Sequence, residues 1–119
     1  MSGLTTHVLD TTHGCPGAGI AVRLFACGPA GQDDTLIVEA RTNDDGRCDQ
    51  PLMSAEAMRP GRYRLEFDVA DYFRRRGVDL PEPAFLDVVS IAFGIADAAA
   101  HYHVPLLVSP FGYSTYRGS

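Results

Sequence analysis

Short runs of alternating apolar and polar residues, cut apart by glycine and proline, constrain this chain more than any other feature. RYRLEF shows the pattern most cleanly, with Tyr63, Leu65 and Phe67 alternating with Arg62, Arg64 and Glu66. A period of two puts every second side chain on the same face of an extended strand, so one face suits a core and the other suits water. GIAVRLFAC sets Ile20, Val22, Leu24 and Ala26 opposite Arg23, and TLIVEART sets Leu36, Val38 and Ala40 opposite Glu39 and Arg41. HGCPGAG, NDDG and RPG separate the runs and read as turns. Twelve glycines and eight prolines among 119 residues favour many short strands over a helical bundle.

One segment changes period. In DVADYFRRRG, Val69, Tyr72 and Phe73 fall at i, i+3 and i+4 and predict a short helix. Asp68 is expected to cap its start, Asp71 suits the first turn and Gly77 suits the stop. Arg74, Arg75 and Arg76 then fall at the negative end of the helix dipole, which favours a solvated basic end over a phosphate site. FLDVVSIAFGI is apolar on both faces: Leu86, Val88 and Ala92 on one, Phe85, Val89, Ile91, Phe93 and Ile95 on the other. A strand of that kind needs cover on both sides, from its own chain or from another subunit. HYHVPLLVSP sets Tyr102, Val104, Leu106 and Val108 against His101, His103, Pro105 and Leu107. The sum is seven or eight strands and one helix in a single domain over residues 1–119, mainly β, which fits a two-sheet antiparallel sandwich.

A net charge of −5 gives no support to nucleic-acid binding. MSGLTTHVLD lacks the basic and apolar regions of a secretory signal, and no stretch reaches the length of a membrane span. Cys15, Cys27 and Cys48 form no C-x-x-C pair and read as free thiols, which points to the cytoplasm.

Chemistry has few candidate carriers. Strand alternation in LTTHVLD puts His7 on the face of Thr5 and Leu9, opposite Leu4, Thr6 and Val8. His103 points away from the apolar face of its own strand. An imidazole that titrates near neutrality can take a proton from water and return it, as a hydrolase requires; a surface histidine held by a hydrogen bond looks the same in sequence. Arg47 follows the D-G turn of NDDGRCDQPL, where its guanidinium can grip a planar, oxygen-rich substrate or remain solvated. His101 and His103 share a face, but no carboxylate or cysteine stands at a metal-ligand spacing beside them, so no metal and no cofactor is expected. The final FGYSTYRGS, taken alone, reads as a solvated tail.

Three blocks in order, LTTHVLDTTHGCPGAGIAVRL, TNDDGRCDQPL and HYHVPLLVSPFGYSTYRGS, resemble the 5-hydroxyisourate hydrolase family of transthyretin-like proteins. The terminal YRGS is the most specific part of that resemblance, which covers essentially the whole chain. It implies a transthyretin-like antiparallel β-sandwich of two four-stranded sheets with one short helix, assembled as a homotetramer (a dimer of dimers) with sites in the channel between dimers. It implies hydrolysis of 5-hydroxyisourate, a small-molecule substrate, to 2-oxo-4-hydroxy-4-carboxy-5-ureidoimidazoline in urate degradation. Carried over by position, the catalytic residues are His7, Arg47, His103 and Ser119, with Arg47, Tyr116 and Ser119 binding substrate. The tail is then no loose end: the last strand delivers Tyr116 to Ser119 to the site, and Gly118 leaves room for close backbone approach. His101 is expected to be structural. The alternative is a transthyretin-like carrier of a hormone-type small molecule, which has no need of this set of histidines and arginine.

Overall fold

The computed structural model describes residues 3–29 and 32–118. Eight strands are present: β1 Gly3–Asp10, β2 Cys15–Pro16, β3 Ala21–Ala26, β4 Thr35–Arg41, β5 Gly61–Asp68, β6 Val88–Ile95, β7 His101–Ser109 and β8 Gly112–Thr115. One α-helix, α1 (Val69–Arg75), follows β5, and a single 3-10 turn spans Ala55–Ala57. The strands form two four-stranded sheets, ordered β2-β1-β7-β8 and β4-β3-β5-β6. Their facing sides supply the core, where Leu4, Val8, Val22, Leu24, Leu65, Phe67, Leu106 and Val108 are wholly excluded from solvent. Burying a side chain of that size stabilises the fold by about 1.5–3 kcal/mol. The alternation in the sequence is what aims these residues inward.

One pairing departs from the antiparallel pattern. β1 and β7 run parallel, from Gly3 opposite His101 to Asp10 opposite Val108. Parallel neighbours need a long crossover, and here the whole second sheet and the helix lie between them in the chain. This pairing decides where the histidines fall.

The helix buries Val69, Ala70, Tyr72 and Phe73 and ends before Gly77, as the spacing predicts. Asp68 stands at its N-cap position, yet its side chain makes no cap hydrogen bond. Arg23 on β3 takes that carboxylate instead, with Nη2 donating to Oδ1 at 2.6 Å and Nη1 to Oδ2 at 3.1 Å. A bidentate, charge-assisted pair outcompetes a single backbone N–H. The three arginines at the other end each find a local partner: Arg74 donates to Pro81 O, Arg75 to Asp71 and Gly19 O, and Arg76 to Cys15 Sγ.

Two inward assignments are corrected. Leu36 is 49 % exposed, because the β3–β4 register shifts between Leu24 and Phe25 and leaves Ile37 as the extra residue of a bulge. A bulge of one residue reverses the alternation beyond it. Phe85 lies before β6 and outside its core face, 73 % exposed, with its ring 6.1 Å from that of Phe111. Within β6, Val89, Ile91 and Ile95 are buried while Val88 and Ala92 are exposed, so among the described residues the second apolar face is left largely uncovered at these two positions. Among the described residues no helix is long and apolar enough to cross a membrane.

Candidate active site

The parallel register places Thr5 opposite His103 and His7 opposite Pro105. Leu4, Thr6 and Val8 point into the sandwich, so Thr5 and His7 stand on the outer face of the sheet. Tyr102 and Val104 are buried in the same way, which sends His101 and His103 to that outer face as well. All four residues are half-buried. The two imidazoles on β7 lie nearly parallel, with centroids 6.4 Å apart and planes 11° from each other.

Arg47 arrives from the loop between β4 and the 3-10 turn. The Asn43 side-chain oxygen accepts from the backbone N–H groups of Asp45 and Arg47, and Asn43 N–H donates to Arg47 O at 2.7 Å, so the turn is internally bonded. Gly46 then lets the loop dock on β1. Its φ is +76°, and a Cβ there would collide with Val8 O, while Val8 N–H donates to Gly46 O at 2.8 Å. The result is a bridge between the backbones of His7 and Arg47. Arg47 itself is exposed, with its side chain free of any hydrogen bond to the described residues.

The chain end closes the arrangement from the other side. Gly118 bridges His103, its N–H donating to His103 O at 2.7 Å, and a Cβ on Gly118 would sit 2.7 Å from His103 Cδ2. Only a glycine lets the backbone come this close to that imidazole. Arg117 donates to His101 O at 3.1 Å and lays its guanidinium 4.0 Å from the Tyr102 ring centre. The tail is thus tied down through Gly118, and Ser119 lies outside the described residues.

Between these elements is a cavity of about 310 Å³ lined by Thr5, Arg47, Cys48, Gln50, His101 and His103. That is the small end of the range for ligand pockets, about 300–1,000 Å³. His103 Nδ1 is 2.8 Å from Thr5 Oγ1, and its other ring nitrogen meets no partner among the described residues. His101 Nε2 is 3.5 Å from the same hydroxyl, and His101 Nδ1 is buried with no partner. Burial lowers the His103 pKa, and the nearby Arg47, His7 and His101 lower it further, so the ring is neutral at neutral pH. Burial, with help from Asp49, pushes the Cys48 thiol up, so it is protonated under the same conditions. Among the described residues no group of three or more His, Cys, Asp or Glu stands together as a metal site. Chemically, the pocket offers a neutral imidazole, a guanidinium and a second imidazole one strand-step away, the means to activate water and bind an anionic, oxygen-rich group.

Of the residues singled out from sequence, His7, Arg47 and His103 come together here, though His7 is not among those lining the cavity. Tyr116 is 60 % exposed and lines a separate groove with Ile91, Phe93, Tyr102 and Arg117, between the edge strands β6 and β8. Sequence reasoning passed over Thr5, Cys48 and Gln50. Thr5 carried a usable signal, since it shares the face of His7 two residues away. Cys48 and Gln50 carried none beyond adjacency to Arg47.

A model of the HIUase/Transthyretin family matches residues 4–118. A 5-hydroxyisourate hydrolase of Pseudomonas aeruginosa is 60% identical over 119 residues, covering 100% of this chain and 93% of that protein. The structure of Klebsiella pneumoniae 5-hydroxyisourate hydrolase superposes with a TM-score of 0.78 at 34% identity, covering 100% of both chains. Transthyretin from Sparus aurata superposes with a TM-score of 0.85 at 27% identity, over 99% of this chain and 97% of that one.

Proposed function

The chain belongs to the HIUase/Transthyretin family, and from that premise we propose that it is a 5-hydroxyisourate hydrolase. The observation that carries this reading is the convergence of His7, Arg47 and His103 on the outer face of β1 and β7. Identity supports the enzyme over the carrier: 60% to a named hydrolase against 27% to a transthyretin.

In the proposed reaction, water attacks a ring carbonyl of 5-hydroxyisourate and the carbon–nitrogen bond opens, giving 2-oxo-4-hydroxy-4-carboxy-5-ureidoimidazoline. His7 takes the proton from water. Arg47 holds the substrate oxygens and stabilises the negative charge that develops as the carbon becomes tetrahedral. His103 holds the reacting groups by hydrogen bonding, and a proton returns to the departing nitrogen. Ser119 positions substrate or water, and Tyr116 lines the site in the assembled oligomer. The oligomer is proposed to be a homotetramer, a dimer of dimers, in the cytoplasm; the exposed Val88 and Ala92 on β6 favour cover from a second chain. Sedimentation at micromolar concentration checks the assembly, and a monomer would count against it.

The test of function generates 5-hydroxyisourate in place from urate and urate oxidase and follows loss of its absorbance. Wild-type protein is expected to accelerate the decay, and Arg47→Ala is expected to abolish the acceleration while remaining folded. Folded wild-type protein that leaves the decay unchanged sinks the reading.

A further inference from the structure

The Thr5 hydroxyl stands between two imidazoles, 2.8 Å from His103 Nδ1 and 3.5 Å from His101 Nε2. A hydroxyl has one proton to give and two lone pairs to receive with. That arithmetic leaves three ways to distribute the protons when both rings are neutral.

In the first, both rings donate to Thr5. The hydroxyl proton then needs a third acceptor, and among the described residues Thr5 Oγ1 has only these two neighbours. In the second, His103 Nδ1–H donates to Thr5 and Thr5 donates to His101 Nε2. His101 must then carry its proton on Nδ1, which is buried without a partner. An orphaned buried N–H is among the rarest defects in folded proteins and costs about 1–3 kcal/mol. In the third, His101 Nε2–H donates to Thr5, Thr5 donates to His103 Nδ1, and the buried His101 Nδ1 is left with only a bare lone pair unmet. Unsatisfied acceptors are tolerated more readily than unsatisfied donors. The third arrangement leaves no buried proton orphaned. Its one proton without an acceptor among the described residues, His103 Nε2–H, is on the ring nitrogen turned away from Thr5, whereas in the first the unmet proton belongs to the hydroxyl held between the two rings.

We infer that Thr5 and His101 are positioning residues that fix His103 as its Nε2–H tautomer, so that His103 enters the site as a hydrogen-bond donor and His7 is left as the base. The ring is neutral, as its surroundings require, and its Nε2 is the ring nitrogen free of partners among the described residues. Gly118, packed so closely against the ring that a Cβ would lie 2.7 Å from Cδ2, restrains the ring while Thr5 sets the proton. His101, passed over as structural in the sequence, becomes the first member of a three-residue chain. The role in catalysis rests on the hydrolase reading; the tautomer does not.

Nitrogen-15 NMR of selectively labelled histidine tests it, because the two ring nitrogens of a neutral imidazole resonate far apart according to which carries hydrogen. Wild-type His103 is expected to show Nε2–H and bare Nδ1. Thr5→Val keeps the shape and removes the hydroxyl, and is expected to give a mixture of tautomers; Thr5→Ser is expected to restore the wild-type pattern. In hydrolysis of 5-hydroxyisourate, Thr5→Val is expected to lower kcat about tenfold, with KM within about twofold, and Thr5→Ser to recover most of it. Wild-type His103 with its proton on Nδ1 overturns the inference, as does a Thr5→Val spectrum identical to wild type. Should Thr5→Val fail to fold, the wild-type spectrum alone decides. Nitrogen shifts as expected from a protein that hydrolyses nothing would uphold the proton chain and remove the hydrolase reading.

Discussion

Strand β1 carries a polar cluster at each end, and the two are finished differently. At its C-terminal end Asp10 is fully buried, and its carboxylate accepts from the N–H groups of Thr12 and His13, from His13 Nδ1 at 2.6 Å and from Tyr72 Oη at 2.7 Å. Burial alone would raise the pKa of that carboxyl, but the hydrogen bonds from Tyr72 and His13 outweigh it and hold the group below the ordinary carboxylate range. At the other end one hydroxyl serves two imidazoles, one ring nitrogen is buried unpaired and another has no partner among the described residues. A saturated cluster has nothing left to offer a ligand and acts as a tether, here from β1 to helix α1. An unsaturated cluster keeps bonding capacity that only a ligand or water can complete. Histidines occur in both, so it is saturation, not residue type, that separates anchor from site.

The largest effect expected of breaking that contrast is on rate. His103→Ala and Arg47→Ala should each lower kcat/KM for 5-hydroxyisourate by about 10²–10⁴, while the urea midpoint stays close to wild type. A collapse in stability would make this cluster an anchor too. Next in size, Asp10→Ala should cost about 2–4 kcal/mol in urea unfolding by stranding the Tyr72 hydroxyl and two backbone donors. Turnover of the remaining folded protein should change little, and a hundredfold loss of kcat there would erase the distinction.

Gly118→Ala sharpens the comparison from within the site. Its new methyl meets the His103 ring at 2.7 Å, so the ring must shift, with about a tenfold fall in kcat and little change in unfolding. Normal kinetics would show that the ring plane is not set by the tail.

The smallest effect is a titration. His103 has its pKa lowered from 6.5 by burial first, then by Arg47, His7 and His101. Between 6.5 and that lower value the unfolded chain binds the proton and the native chain does not. Its contribution to stability is therefore present above pH 6.5 and is lost as pH falls through that window. In Arg47→Ala the NMR titration of His103 should move up toward 6.5; no movement would mean that the guanidinium does not face the ring.

Much of this architecture was legible from side-chain period alone. RYRLEF, GIAVRLFAC and HYHVPLLVSP face the core as their alternation says, and Val69, Tyr72 and Phe73 share the buried face of a helix. Period fixes which residues share a face but not which strand lies alongside. The parallel seat of β1 beside β7 links residues almost a whole chain apart, and nothing local encodes it. For the same reason Thr5 escaped notice: it becomes a partner for His103 only through that register. Leu36 misled because a bulge is a property of two strands together, and Asp68 because Arg23, far off in sequence, outbids the helix for its carboxylate. Resemblance supplied His7, Arg47 and His103 as a set, which strand patterning could only have offered singly.

The parallel seat of β1 beside β7 also has a consequence in time. A ribosome adds about 5–20 residues per second, so β1 leaves the exit tunnel on the order of ten seconds before the strand it must pair with. Through that interval the nascent chain can assemble β3, β4, β5 and β6, whose partners are all near in order of synthesis, while β1 presents an unpaired edge open to wrong partners. His7 and Thr5 are translated early and acquire chemical meaning late. On this topology hydrolysis belongs only to chains whose translation has passed His103, and the vulnerable period of the fold is the wait for β7.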